Sequence, residues 1–425
     1  MSTDADRVID AVWRIDSPRV IAGLTRMVGD VGLAEELAQD ALVAALEQWP
    51  EAGVPEKPGA WLMATAKHKA VDLLRRRTSL EQKHQELAHR LTIQQQTMLE
   101  DDAGTDDDLS DDLLRLMFVA CHPVLSVEAR VALTLRLLGG LTTGEIARAF
   151  LVRESTIAQR IVRAKRILAE AHVPFEIPPA SERTARLSSV LEVIYLIFNE
   201  GYSATTGEDW MRPALCEDAL RLARILAGLV PDEAETQGLV ALLEIQASRS
   251  PARVGPSGEP VLLLDQDRSR WDQLLIRRGL AALQRAEERG GALGPYALQA
   301  AIAACHARAR AAEDTDWGRI AALYHALAQL APSPVVELNR AVAVSMVFGP
   351  AAGLEIIDGL TSEPALASYH LLPSVRGDLL AKLGRLDEAR AEFKRAASLT
   401  RNARERSLML ERAAACGGEA PPTDG

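Results

Sequence analysis

Apolar residues recur with a helical period from Leu33 to Trp49. Leu42, Leu46 and Trp49 are spaced i, i+4 and i+7, which predicts a helix ending at Pro50. Pro50, Gly53, Pro55, Pro58 and Gly59 crowd residues 50–60, and that density of breakers predicts a loop. A new helix is expected from near Trp61 into Arg75-Arg76-Arg77. Residues 78–110 are polar, and the stretch around their end carries Asp101, Asp102, Asp106, Asp107, Asp108, Asp111 and Asp112. Like charges repel, so an extended tether and a domain boundary are expected there. Residues 111–172 predict two short helices, a third opening at Thr142-Thr143-Gly144-Glu145-Ile146-Ala147, a turn near Leu151 to Glu154, and a helix to Ala171. Pro174, Pro178 and Pro179 close that unit.

Residues 185–290 again read as helices, broken at Gly207, Pro231 and a loop from Ser248 to Pro260. Residues 291–416 look repetitive: Pro332 and Pro364 each follow an Ala- and Leu-rich helix pair. Gly377, Leu380, Gly384, Ala389, Phe393 and Ala396 resemble the alternating small and large positions of a tetratricopeptide repeat, which predicts an α-solenoid. The predicted class is all-α throughout. Composition agrees, with 48% apolar but only 4% aromatic residues, a balance that favours helix packing over sheets.

The formal net charge of -11 changes the picture of possible partners. A protein that simply coats nucleic acid is basic overall. If this chain meets DNA, its cations must be concentrated locally and another body must supply much of the affinity. Cys121, Cys216, Cys305 and Cys416 are scattered without a CxxC pair, as expected of thiols in a reducing cytoplasm. Cys121-His122 and Cys305-His306 lack further ligands at metal spacing, so neither metal nor cofactor is expected. Met1 to Ile15 carries acids and no long apolar run, so a cytoplasmic protein with no signal peptide or membrane span is expected.

Two constellations carry candidate chemistry. In the helix pair at 142–171, Ile157, Ile161, Ala164 and Leu168 form one apolar stripe. Arg153 precedes the helix, and the opposite face offers Ser155, Thr156, Gln159, Arg160, Arg163 and Arg166, with Lys165 adding charge. Hydroxyls, an amide and guanidiniums are the groups that reach phosphates and base edges in a major groove. The second constellation is the helix at 33–49, expected to expose Glu35, Glu36, Gln39, Asp40 and Glu47, followed by the basic helix at 61–77. Acids repel DNA, so the first suits a basic protein partner. The second, with Trp61, Lys67, His68, Lys69, Arg75, Arg76 and Arg77, suits a melted strand. A solvated polar face and a core role for Trp49 and Trp61 are the plainer alternatives.

The order of these elements sharpens the reading. Ala34-Glu35-Glu36-Leu37-Ala38-Gln39-Asp40-Ala41-Leu42, then Trp61-Leu62-Met63-Ala64-Thr65-Ala66-Lys67-His68 and Leu73-Leu74-Arg75-Arg76-Arg77, resemble region 2 of the extracytoplasmic-function RNA polymerase sigma factors. Gly140-Leu141-Thr142-Thr143-Gly144-Glu145-Ile146-Ala147 and Ala164-Lys165-Arg166-Ile167-Leu168 resemble their region 4. The resemblance covers about residues 8–172. The whole chain resembles a subgroup with a long C-terminal extension, in which Tyr195-Leu196-Ile197-Phe198-Asn199-Glu200-Gly201-Tyr202 and Asp265-Gln266-Asp267-Arg268-Ser269-Arg270-Trp271 look like signatures. Two departures stand out: His68 replaces the usual Asn, and Leu151 replaces the Gly of the turn, which tightens the turn sterically.

The resemblance implies region 2 at 8–77, an acidic linker at 78–110, region 4 at 111–172, a helical extension at 185–290 and tetratricopeptide-like repeats at 291–416. It implies that Glu35, Glu36, Gln39, Asp40 and Leu42 dock on the β′ clamp helices of core RNA polymerase. Loop 50–60 and the basic helix would hold the non-template strand of the minus-ten element, with one base flipped at a cost of a few kcal/mol. The 154–166 helix would enter the minus-thirty-five major groove while region 4 touches the β flap. The linker would thread toward the RNA exit path. The C-terminal part is expected to regulate activity, with a protein or peptide on its repeats. Two rivals remain. A regulator that binds DNA without polymerase has no use for the 33–77 pattern. A helical-repeat enzyme finds no phosphate loop, metal cluster or nucleophile-base motif, so no catalytic residue is expected.

Overall fold

The computed structural model describes residues 4–84, 106–256, 258–289 and 294–417. It divides into two compact units, one up to Val193 and one from Ile194. In the first, α1 (Asp4–Val28), α2 (Val31–Ala52) and α3 (Pro58–His84) pack on one another. Asp30 caps α2 by accepting the Leu33 N–H at 2.8 Å. The buried side of α2 is built from Ala34, Leu37, Ala38, Ala41, Ala45 and Trp49. Small alanines let the helices approach closely. The stripe expected from Leu42 and Leu46 is therefore not the core face: Leu42 is half-buried, and Leu46 and Val43 are exposed.

Two boundaries differ from expectation. Helix α2 runs through Pro50 to Ala52, at the cost of one i→i−4 backbone hydrogen bond in its last turn. Helix α3 opens at Pro58, the first-turn position that proline favours, so the loop shrinks to residues 53–57. The acidic stretch also departs from expectation. Residues 85–105 of the anticipated linker, with Asp101 and Asp102, lie outside the described residues. Asp106 onward is helix α4 (Asp106–Ala120), not extended chain. Asp112 is fully buried there, paired with Arg26 at 3.2 Å and Arg115 at 2.6 Å. These two cation partners offset the repulsion from neighbouring acids at Asp112.

Helices α5 (Val127–Leu137), α6 (Thr143–Ala149) and α7 (Glu154–Glu170) complete this unit with the start of α8 (Ala180–Tyr202). Arg186 in α8 donates to the Phe118 carbonyl at 2.9 Å, and the Ser189 hydroxyl donates to the Cys121 carbonyl at 2.7 Å. α1 packs against α4 and α5 as well as α2 and α3, so the segments before and after the linker share one core.

The second unit contains the end of α8, then α9 (Pro213–Leu229), α10 (Ala234–Ser248), α11 (Gln273–Arg289), α12 (Pro295–Arg308), α13 (Trp317–Leu330), α14 (Pro334–Phe348), α15 (Pro350–Leu360), α16 (Leu371–Lys382), α17 (Leu386–Leu399) and α18 (Ala403–Ala415). Most helices from α9 pack chiefly on their sequence neighbours, the nearest-neighbour logic of a solenoid, while α12 packs more on α10 than on the intervening α11. The small and large positions interlock as the pattern predicts: a Cβ on Gly377 would stand 2.9 Å from the Phe393 ring, and Leu380, Ala389, Phe393 and Ala396 are buried. No periodicity or motif anticipates that the stack returns on itself. Strand β1 (Thr206–Gly207) pairs in parallel with β2 (Arg401–Asn402), the one sheet among the described residues. Asn402 is fully buried and donates to the carbonyls of Ala204 at 3.1 Å and Asp209 at 2.9 Å.

Candidate nucleic-acid interface

The helix pair forms as read. Thr142 and Glu145 make a reciprocal capping box on α6: the Thr142 hydroxyl accepts the Glu145 N–H at 3.1 Å, and Glu145 accepts the Thr142 N–H at 2.8 Å. Arg14 of α1 also donates to Glu145, at 2.6 Å. Burial alone would raise the Glu145 pKa, but the Thr142 donors and Arg14 outweigh it and hold the carboxyl below its usual range. The turn passes through Leu151 at φ +49°, the left-handed conformation that glycine adopts most easily. Ile157, Ile161, Ala164 and Leu168 are buried against the unit, so the other side of α7 is turned outward.

The outward stripe of α7 carries Ser155, Gln159, Arg163 and Arg166, all exposed, with Arg153 just ahead of the helix. Thr156 and Arg160 are half-buried at its flank. Lys165 is not on this stripe: it forms an ion pair with Glu35. Two apolar residues that a search for polar groups passes over also lie on the stripe, Ala158 and Val162. Val162 is 67% exposed, and a β-branched side chain held out in solvent contributes nothing to the core. The visible signal was its spacing, four residues after Ala158 and four before Arg166.

On α3, His68 and Arg75 are exposed while Trp61, Lys67 and Lys69 are half-buried. Trp61 meets Trp49 edge to face at 5.3 Å, so much of its ring belongs to the core. Lys69 donates to the Asp40 carbonyl at 3.0 Å and lies 3.9 Å from the Asp40 carboxylate. The side chains of Arg76 and Arg77 lie outside the described residues.

Helix α2 corrects the expected acidic face. Glu36, Asp40 and Glu47 are exposed, together with Val43 and Leu46. Glu35 is only 4% exposed. Its carboxylate accepts from Arg136 of α5 at 2.6 Å and pairs with Lys165 of α7, and half-buried Gln39 donates to it at 3.3 Å. Two cations from distant sequence positions pull this acid inward.

In the second unit, the carboxylates of the two signature stretches have structural duties. Glu200 pairs with Arg212 and accepts the Thr205 hydroxyl at 2.9 Å, and Asp267 accepts the Ser269 N–H at 2.9 Å. Arg268 ties the Asp265–Trp271 stretch to the carbonyls of His306 at 2.6 Å and Ala309 at 2.9 Å. Among the described residues no helix is long and apolar enough to cross a membrane.

Comparison with known proteins places these elements. The family model Sigma-70 region 2 matches residues 14–79, Sigma-70, region 4 matches 115–168, and a family of unknown function, DUF6596, matches 186–287. An uncharacterised protein of Rhizobium meliloti (strain 1021), R00370, is 44% identical over 404 residues, covering 92% of each chain. The probable ECF RNA polymerase sigma factor SigI of Mycobacterium tuberculosis is 26% identical over 175 residues, 41% of this chain and 59% of that protein. The crystal structure of yeast Tom70 aligns with 97% of this chain and 88% of its own at 10% identity, with a TM-score of 0.32.

Proposed function

We propose, for a chain that belongs to the extracytoplasmic-function RNA polymerase sigma factors, a specific division of roles among its helices. A sigma factor acts in transcription initiation with core RNA polymerase and promoter DNA as partners. In our reading the exposed acidic face of α2, with Glu36, Asp40 and the neighbouring Leu42, docks on the β′ clamp helices, joined by Glu35 and Gln39 once they are released. Trp61, Lys67, His68, Lys69 and the Arg75–Arg77 run handle the non-template strand of the minus-ten element. Arg153, Ser155, Thr156, Gln159, Arg160, Arg163 and Arg166 address the minus-thirty-five major groove, and region 4 meets the β flap. The observation that carries this reading is the outward stripe of α7, where an amide and two guanidiniums stand exposed on a helix whose other side is core. The domain limits 8–77, 78–110, 111–172, 185–290 and 291–416 belong to the same proposal.

The second unit regulates that activity, with a protein or peptide as its ligand. Solenoids offer extended surfaces to such partners. Run-off transcription with core polymerase tests the first part. Specific transcripts should require the full chain, and their absence on every template from the host genome, with the complex itself absent by gel filtration, would refute it. Removing the residues after α8 should change transcript yield; equal output with and without them sinks the regulatory role.

A further inference from the structure

The outward side of α7 is not wholly polar. Ala158 and Val162 stand exposed on it one helical turn apart, in line with Arg166 and beside Gln159 and Arg163. Val162 is 67% exposed. The fold of the unit does not call for a valine there. The core face of α7 is already filled by Ile157, Ile161, Ala164 and Leu168, and a β-branched residue is a poorer helix former than the Ala, Gln and Arg around it. A lone apolar side chain on a protein surface is ordinary. This one stands among the groups that the sigma reading sends into a groove, so whatever those groups approach, Val162 approaches too.

The chemistry of the groove narrows what that is. From Ser155 to Arg166 the stripe extends about 16 Å, the rise of roughly five base pairs. A helix of about 10–12 Å diameter fills a major groove of about 12 Å, so side chains along the middle of the stripe meet the groove floor. That floor is lined by hydrogen-bonding groups apart from one apolar feature, the C5 methyl of thymine. Gln159 and Arg163 offer hydrogen bonds to base edges and phosphates, and Val162 offers none. Ala158, one turn earlier, is small enough to let a duplex come close to the helix backbone.

We propose that Val162, with Ala158 beside it, reads the C5 methyl of a thymine in the minus-thirty-five major groove by apolar contact. This rests on the sigma reading above. The contact removes water from two apolar groups at once, which is favourable wherever they meet. Thymine keeps the same donors and acceptors with or without its methyl, so this selection is one that the amide and guanidiniums of the stripe do not supply. It also involves no charge. The preference is therefore independent of salt, whereas the arginine contacts weaken as salt rises.

The test binds holoenzyme, assembled from core polymerase and the full chain, to promoter duplexes that give specific run-off transcripts and carry thymine in the minus-thirty-five element. Deoxyuridine replaces those thymines; it keeps every hydrogen-bonding group and lacks only the methyl. Affinity should fall about fourfold per contacted thymine, the scale of burying one methyl-sized group, with the same ratio at about 50 and 200 mM salt. Val162→Ala, with the better helix former in place, should bind thymine and uridine templates equally, at the level the unaltered chain shows on uridine. 5-Methylcytosine carries the same methyl into the same groove, and substituting it for the cytosines of the element should leave affinity unchanged. A Val162-dependent gain on 5-methylcytosine with no loss on uridine would overturn the assignment to thymine. Equal binding of thymine and uridine templates by the unaltered chain, or the same uridine loss in Val162→Ala, overturns the contact itself while the sigma reading stands. If the chain gives no promoter complex on any template, the sigma reading fails and the contact with it.

Discussion

His306 allows a quantitative prediction about acid. It is 7% exposed in α12, edge-on to Trp317 at 5.2 Å, in a region shared with Arg249 and Arg268. Burial disfavours its charged form and the two arginines add to that, so its pKa falls from 6.5 to about 4. The unfolded chain then binds a proton that the folded chain refuses. A depressed histidine pKa means stability is complete above about pH 6.5 and is lost as pH falls toward 4. A gap of roughly 2.5 units corresponds to about 3 kcal/mol by pH 4 and about 2 kcal/mol at pH 5. Guanidinium denaturation of the full chain, followed by hydrogen exchange in peptides of α12 and α13, should show this at pH 7.5 and 5.0. His306→Phe keeps an aromatic ring and removes the proton site. Carboxylates that titrate in the same window are common to both proteins, so the difference between them isolates His306. If the two proteins lose the same stability between these pH values, burial of a neutral imidazole is not what the site does.

Two substitutions test local geometry. Leu151→Gly relieves a left-handed residue whose side chain is exposed and packs little; the strain of about 1–2 kcal/mol should exceed the entropic cost of glycine, raising stability of the first unit by about 0.5–1 kcal/mol in thermal melts. A lower melting temperature would mean the turn is not strained. Gly377→Ala forces a methyl to within 2.9–3.2 Å of the Phe393 ring and should cost about 1–3 kcal/mol, read as faster hydrogen exchange in α16 and α17. Wild-type protection in that variant would show that the helices can slide apart freely.

What could be read from sequence follows the reach of each signal. The buried stripe Ile157, Ile161, Ala164 and Leu168 is a local property of one amphipathic helix, so its period alone exposes the opposite face. The Gly377 and Phe393 pairing was legible for a similar reason, since neighbouring helices in a solenoid are neighbours in sequence. On α2 the period misled, because alanines bury a helix as well as leucines do but carry no contrast. The fate of Glu35 was out of reach for another reason: its partners are 101 and 130 positions away, and one acid among several on a helix looks the same whether it faces solvent or a cation. Asp112 hid in a run of like charges because Arg26, 86 residues upstream, decides its burial. The return of β2 to β1 likewise depends on a contact spanning nearly the whole second unit.

The charge distribution now bears on how such a chain can select DNA. Its net charge is -11, yet Arg148, Arg153, Arg163 and Arg166 stand exposed together around α6 and α7. If each neutralises one phosphate, the salt slope is roughly -3.6, and affinity falls about 150-fold between 50 and 200 mM salt. A protein that binds duplex through six to ten phosphates loses about a thousandfold or more over the same range. These four cations of the α6–α7 face, on so acidic a body, give little non-specific duplex affinity by themselves. That is an advantage for a factor meant to act only at promoters: the free chain is not titrated by bulk genomic DNA, and the few groups it does present can spend their energy on discrimination. The internal ion pair with Glu35 keeps Lys165 off this surface and lowers duplex affinity further.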